Sequence, residues 1–214
     1  TLGVVAIILI VVYRSPVLWI IPLLSAMFAL TTAGGIVYLL AKNNIIDVDG
    51  QSQGILSVLV IGAATDYALL LIARYREELH HHENRFDAMR AAYKGVWEPI
   101  LASGSTVSIS LLILLFSQLT NTAGLGPIGA IGIVCAMITI LTLLPALLLV
   151  FGRWIFWPRI PRNDGDDHVM SGTWSKVGGA IGRNPRKAWV ISGTVLLLFA
   201  FASTTLKADG IGTV

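Results

Sequence analysis

Asp66 stands apart among the 12 acidic residues of this 214-residue chain, because it alone falls well inside a long apolar run. Counted back from Arg74, where the run meets its first charges, it lies eight residues deep. At 1.5 Å per residue that is about 12 Å, close to the middle of a hydrocarbon core about 30 Å thick. An ionised carboxylate at that depth costs at least about 3 kcal/mol, so an intramembrane acid points first to function. Lost hydration penalises the charged form, which suits the carboxyl to bind and release a proton, the chemistry of a proton relay. The plainer alternative is an aspartate held in a helix–helix hydrogen bond as glue.

A second apolar run offers a surface to match. Ser103, Thr106 and Ser110 recur at three- and four-residue spacing and form one hydroxyl stripe on a helix. Thr106 and Ser110 lie seven and eleven residues beyond Pro99, bracketing the depth of Asp66, so the spacing allows a hydroxyl contact or a water chain. Gly62 sits one turn before Asp66 on the same face, where a neighbouring helix could approach closely. Ser105 and Ser108 read as small packing residues, as do most of Gly34, Gly35, Gly124, Gly126, Gly129 and Gly132.

Other chemistries find little support. His80, His81 and His82 are consecutive, and side chains about 100° apart on a helix cannot all ligate one ion. Cys135 is the single cysteine, which leaves no disulfide or thiolate metal site within the chain. No glycine loop precedes a Lys-Ser/Thr pair, so neither ATP hydrolysis nor another enzymatic activity is expected, and no cofactor is implied beyond a proton as coupling ion.

These residues must be positioned by membrane helices. The chain is 55% hydrophobic and 13% charged, with a mean hydropathy of +0.78. Soluble domains carry about twice that share of charge. Six apolar segments can be read: Leu2 to Tyr13, Leu18 to Ala41, Ile55 to Ala73, Ile100 to Leu119, Ile128 to Phe151 and Ala188 to Thr205. They are long continuous runs, which fit helices and not alternating barrel strands, and the first is short unless its start lies upstream. Pro22 and Pro145 read as kinks. The expected fold is an all-α, polytopic transmembrane bundle of about six segments. With no initiator methionine and an abrupt end after Lys207, the sequence reads as a piece of a longer protein.

All but two of the 15 basic residues, Lys42 and Lys207, fall on one side of these segments, which marks that side as cytoplasmic. The net charge of +3 therefore reports orientation, and no nucleic-acid partner is implied. Between the third and fourth segments, Phe86, Met89, Ala92, Tyr93 and Val96 trace an amphipathic helix within Glu77 to Trp97, expected to lie along the cytoplasmic surface. The polar stretch at 152–187, with Pro158, Pro161 and an Asn-Asp-Gly-Asp-Asp run, reads as a linker. Trp154, Trp157, Trp174 and Trp189 bracket it at headgroup level.

The run from Gly62 to Leu79, with Asp66-Tyr67 in mid-span followed by Arg-Tyr-Arg-Glu-Glu-Leu, resembles the signature of the mycobacterial membrane protein large (MmpL) transporters of the resistance-nodulation-division superfamily. The order of segments is similar along nearly the whole chain. The resemblance implies a first-half transmembrane domain at 1–151 with helices like the second to sixth of that half. A cytoplasmic linker follows at 152–187, and the first helix of a second half at 188–214. It implies a proton relay of Asp66 and Tyr67 that pairs with an equivalent Tyr and Asp of the other half, to which the spacing adds Ser110, Thr106 and Gly62 as candidate neighbours. It further implies proton-driven export of lipids or other hydrophobic compounds across the inner membrane. The partners would be membrane lipids or hydrophobic substrate, the second half and the periplasmic domains, with a homo-oligomer left open. A SecD/SecF-like export subunit is the nearest alternative, but there the acid is followed by Ala-Asn in place of Tyr67. A sterol-sensing-like lipid-binding module would share the bundle without needing a mid-span acid.

Overall fold

The computed structural model describes residues 3, 15, 18–46, 48–116, 120–157 and 173–203, with the side chains of 120–123, 173–176 and 203 left out. All regular structure among these residues is helical: α1 (Ile20–Lys42), α2 (Gly50–His81), α3 (Arg85–Ile113), α4 (Thr120–Phe151), α5 (Thr173–Arg183) and α6 (Pro185–Ser203). Short 3₁₀ turns extend α3 through Leu114–Phe116 and α4 through Gly152–Phe156. Among the described residues five helices are long and apolar enough to cross a bilayer. They correspond to five of the six apolar segments, while Leu2 to Tyr13 lies, except for Gly3, outside the described residues. The chain is a multi-pass, all-α membrane bundle. It divides into two compact units, 1–165 and 166–214.

Local sequence sets the ends of the helices. Past the Asn43 C-cap, Asn44 adopts φ 55°. The Asn44 N–H then donates to Ala41 O, and the Ile45 N–H to Leu40 O at 3.0 Å, the paired bonds of a Schellman motif with asparagine in the left-handed position. Asp49 caps α2 by accepting from the Ser52 N–H at 2.7 Å. Hydrogen bonding from the Ser52 side chain, and then from its backbone N–H, holds the Asp49 carboxyl below the ordinary aspartate range. Asn84 caps α3 through the Phe86 N–H at 3.0 Å, with Asp87 in the first turn, where the helix dipole favours an acid.

The first unit is held by close packing. In lipid the hydrophobic effect does not drive helices together, so small residues and dispersion contacts must. On α1, Ser25, Ala26, Ala29 and Ala33 are fully enclosed and form its packed face. The central helix is α4, which touches α1, α2 and α3. Gly132 of α4 admits Leu56 and Val60 of α2, since a Cβ there would lie 2.6 Å from both side chains. Gly126 lets the Leu111 carbonyl of α3 approach to 2.5 Å of the same hypothetical atom, and Gly104 of α3 makes room for Met137.

One expectation is corrected. The amphipathic segment after the third span is not a separate helix along the membrane. With 32 residues, α2 runs on to His81. After the turn His82–Asn84, α3 continues unbroken from Arg85 through Pro99 into the next span. Ala88, Met89, Ala92, Val96 and Ile100 are buried in the bundle, so the apolar stripe faces neighbouring helices. Phe86 is left exposed. Pro99 lies within the helix without ending it, although the Gly95 carbonyl loses its i+4 partner there.

The second unit holds α5, amphipathic and with Arg183 in its last turn, then Asn184 and α6. The residues of α6 are largely exposed, Trp189 among them. Of the stretch 152–187, the 3₁₀ turn packs within the first unit through buried Ile155 and Phe156, α5 occupies the end, and 158–172 lie outside the described residues.

Candidate proton-carrying site

Asp66 is the seventeenth residue of α2, midway along the helix. The packed face of α2 carries Leu56, Val60, Ala64, Tyr67, Ala68, Leu71 and Tyr75. Asp66 lies on the opposite stripe, with Ile55, Gly62, Leu70 and Ala73 within about half a turn of the same direction. Among the described residues most of this stripe is uncovered: Ile55, Asp66, Leu70 and Ala73 are exposed, and a Cβ at Gly62 would meet nothing within 4 Å. Among the described residues Asp66 makes no hydrogen bond or ion pair. Tyr67, rotated by about 100°, is only 9% exposed and belongs to the core. Thr65 is also buried, its hydroxyl bonded back to Ile61 O at 2.8 Å.

The hydroxyl stripe of α3 does not reach the acid by direct bonds. Thr106 Oγ1 donates to Ala102 O at 2.8 Å and Ser110 Oγ to Thr106 O at 2.8 Å, both within their own helix. Ser103, Thr106 and Ser110 are exposed, on a face that no described helix covers. Ser108 is buried with its hydroxyl unpartnered, in keeping with a packing role, whereas Ser105 is exposed. The glycines likewise separate into two kinds. Gly104, Gly126 and Gly132 are filled by neighbours, but Gly34, Gly35, Gly54 and Gly62 open onto empty space.

The charges from Arg74 onward build a clasp. Arg74 pairs with Glu77 at 2.7 Å and with Glu78 at 2.8 Å. Glu78, 8% exposed, is also 3.4 Å from His82 Nδ1. The i+3 and i+4 spacings from Arg74 were visible in the sequence. Arg153 was not recognisable, because its partners are 70 residues away: it donates to Glu83 O at 3.0 Å and also to His82 O. Gly152, at φ 62°, ends α4 against Arg85. Ser15 Oγ is 2.9 Å from Ile155 O and 2.8 Å from Trp157 O, which brings the approach to α1 to the same end. Tyr75 packs on Phe156 with ring centroids 6.1 Å apart.

The clasp ties the end of α2, the start of α3 and the end of α4 together at the basic side, as four spans of alternating direction require. The far ends are free of it, and Asp66 lies between, on the side left open. The profile of the MMPL family matches residues 1–188. A Streptomyces coelicolor membrane protein, ActII-3, is 48% identical over 211 residues, which are 99% of this chain and 30% of that protein. The apo-petrobactin exporter of Bacillus anthracis is 37% identical over 177 residues, 83% of this chain and 24% of the exporter. The transport protein MmpL12 of Mycobacterium tuberculosis is 35% identical over 204 residues, 94% of this chain and 17% of its own. The chain thus spans less than a third of the length of these relatives, and by this match it belongs to the MMPL family.

Proposed function

We propose that the chain is part of a transporter that exports lipids or other hydrophobic compounds across the bacterial inner membrane, driven by proton entry through Asp66. The observation that carries this reading is a mid-helix carboxyl, unpartnered among the described residues, on a face of α2 that its own bundle leaves open. A carboxylate in lipid needs a partner or a water path, so that face is suited to a second membrane half. Tyr67 would join through a repacking that uncovers its ring, and Gly62 would let the partner helix approach the acid. Thr106 and Ser110 would serve through water and not by direct contact. Two relatives carry the names exporter and transport protein, which supports the transport reading.

Protonation would remove the charge of Asp66 and turn an acceptor into a donor, biasing the open face between two packings. The magnitudes suffice. One charge crossing 100 mV releases about 2.3 kcal/mol, so one or two protons can shift a conformational equilibrium of a few kcal/mol. The test is export of a candidate lipid by the full-length protein in energised vesicles, comparing wild type with Asp66→Asn at equal expression and with an uncoupler. Loss of export in both arms supports the reading. Normal export by Asp66→Asn would overturn it.

A further inference from the structure

A shallow, open groove lies at the basic end of the first unit, lined by His82, Asp87, Arg90, Ala91 and Lys94. Arg90 and Lys94 are one turn apart on α3, and both are exposed. Among the described residues neither they nor Asp87 form an ion pair or hydrogen bond. This contrasts with Arg74, which carries two carboxylate partners.

The depth of the groove is fixed by its surroundings. Trp97 is exposed on α3, three residues beyond Lys94. Trp154 and Trp157 are exposed on the 3₁₀ turn after α4. That turn lies at the same end as the groove, because Gly152 abuts Arg85 and Arg153 donates to the carbonyls of His82 and Glu83. Exposed indoles settle at the headgroup level, so the groove opens there too. Retention of basic residues on one side accounts for their presence, but not for two unpaired cations lining one shallow groove beside a carboxylate.

We propose that this groove binds the headgroup of an anionic phospholipid of the adjoining leaflet. The phosphate sits between the Arg90 guanidinium and the Lys94 ammonium, which match its charge and its need for donors. Asp87 accepts a hydrogen bond from a headgroup hydroxyl, and His82 faces the same group. Trp97 packs against the upper acyl region. The site is distinct from the Asp66 face and does not depend on proton coupling.

The test is native mass spectrometry of the full-length protein in detergent with short-chain phosphatidylglycerol and, separately, phosphatidylcholine. Each basic residue at a charged bilayer surface is worth roughly a fivefold change in binding, so Arg90→Gln/Lys94→Gln is expected to weaken phosphatidylglycerol binding roughly thirtyfold. The charge-matched Arg186→Gln/Lys187→Gln variant should bind as wild type, and phosphatidylcholine should bind poorly throughout. Equal loss in both double variants, or no loss in the first, would overturn the site. So would displacement of the lipid by millimolar inorganic phosphate, which would assign the groove to a soluble anion.

Discussion

Asp66 and Tyr67 are neighbours in sequence that face opposite surroundings: the tyrosine ring is enclosed in the core of its own bundle, and the carboxyl projects from the uncovered stripe of the same helix. The 100° step of a helix makes this division unavoidable once Ala64, Ala68 and Leu71 are packed inward. A pair acting across an interface therefore starts from unequal positions, with Asp66 presented and Tyr67 enclosed. An acid serving as glue within this bundle would instead point inward and carry a partner, as Glu78 does.

Asp66→Asn should therefore leave the stability of this chain in detergent unchanged within about 0.5 kcal/mol, as for exposed substitutions away from any network. Thermal unfolding followed by circular dichroism measures this. A loss of about 1–2 kcal/mol would mean that the carboxyl has a structural partner in its own half.

The two kinds of glycine predict opposite outcomes. Gly132→Ala places a Cβ 2.6 Å from Leu56 and Val60, and such overpacking should destabilise the bundle by about 1–3 kcal/mol. A Cβ at Gly62 meets nothing within 4 Å among the described residues, so Gly62→Leu should fold normally here yet impair export by the full-length protein, where the open face would be covered. Normal export by Gly62→Leu would remove the close approach beside Asp66 from the mechanism.

Much of this was legible in the sequence for a definite reason. A membrane span is written in a long apolar run, and an acid within it has no common structural explanation, so the spans and Asp66 could be read directly. The direction in which a side chain points was less accessible. Met89, Ala92 and Val96 have the periodicity of an amphipathic helix whether it lies on lipid or on other helices, and only their burial settled which. The glycines were ambiguous for the same reason, since a residue without a side chain serves close packing and open space alike. Arg153 was out of reach because its hydrogen bonds to His82 and Glu83 depend on where the end of α4 arrives, which no local pattern records.

Tyr75 carries a further consequence. It is fully buried beside Phe156, and its hydroxyl has no hydrogen-bond partner among the described residues. An unsatisfied buried hydroxyl costs about 1–3 kcal/mol, so Tyr75→Phe should raise stability by about 1 kcal/mol while keeping the ring contact. Differential scanning fluorimetry of the purified chain tests it. A fall of the same size would show that the hydroxyl is bonded in solution.

Arg153 should govern the turn between α2 and α3. Its guanidinium supplies donors to the carbonyls of His82 and Glu83, where α2 has ended and α3 has not begun, so neither helix can satisfy them. Arg153→Gln would replace a charged, forked donor with a shorter neutral one, and the partly exposed site limits the loss to about 1 kcal/mol. The effect should be local. Amide exchange should quicken at Glu83, Asn84 and the first turn of α3, while the mid-span amides around Asp66 remain protected, because α2 there is held by its packing on α4. Faster exchange throughout α2 would instead show that the clasp holds the whole hairpin in place, and that its removal should alter the presentation of Asp66 as well.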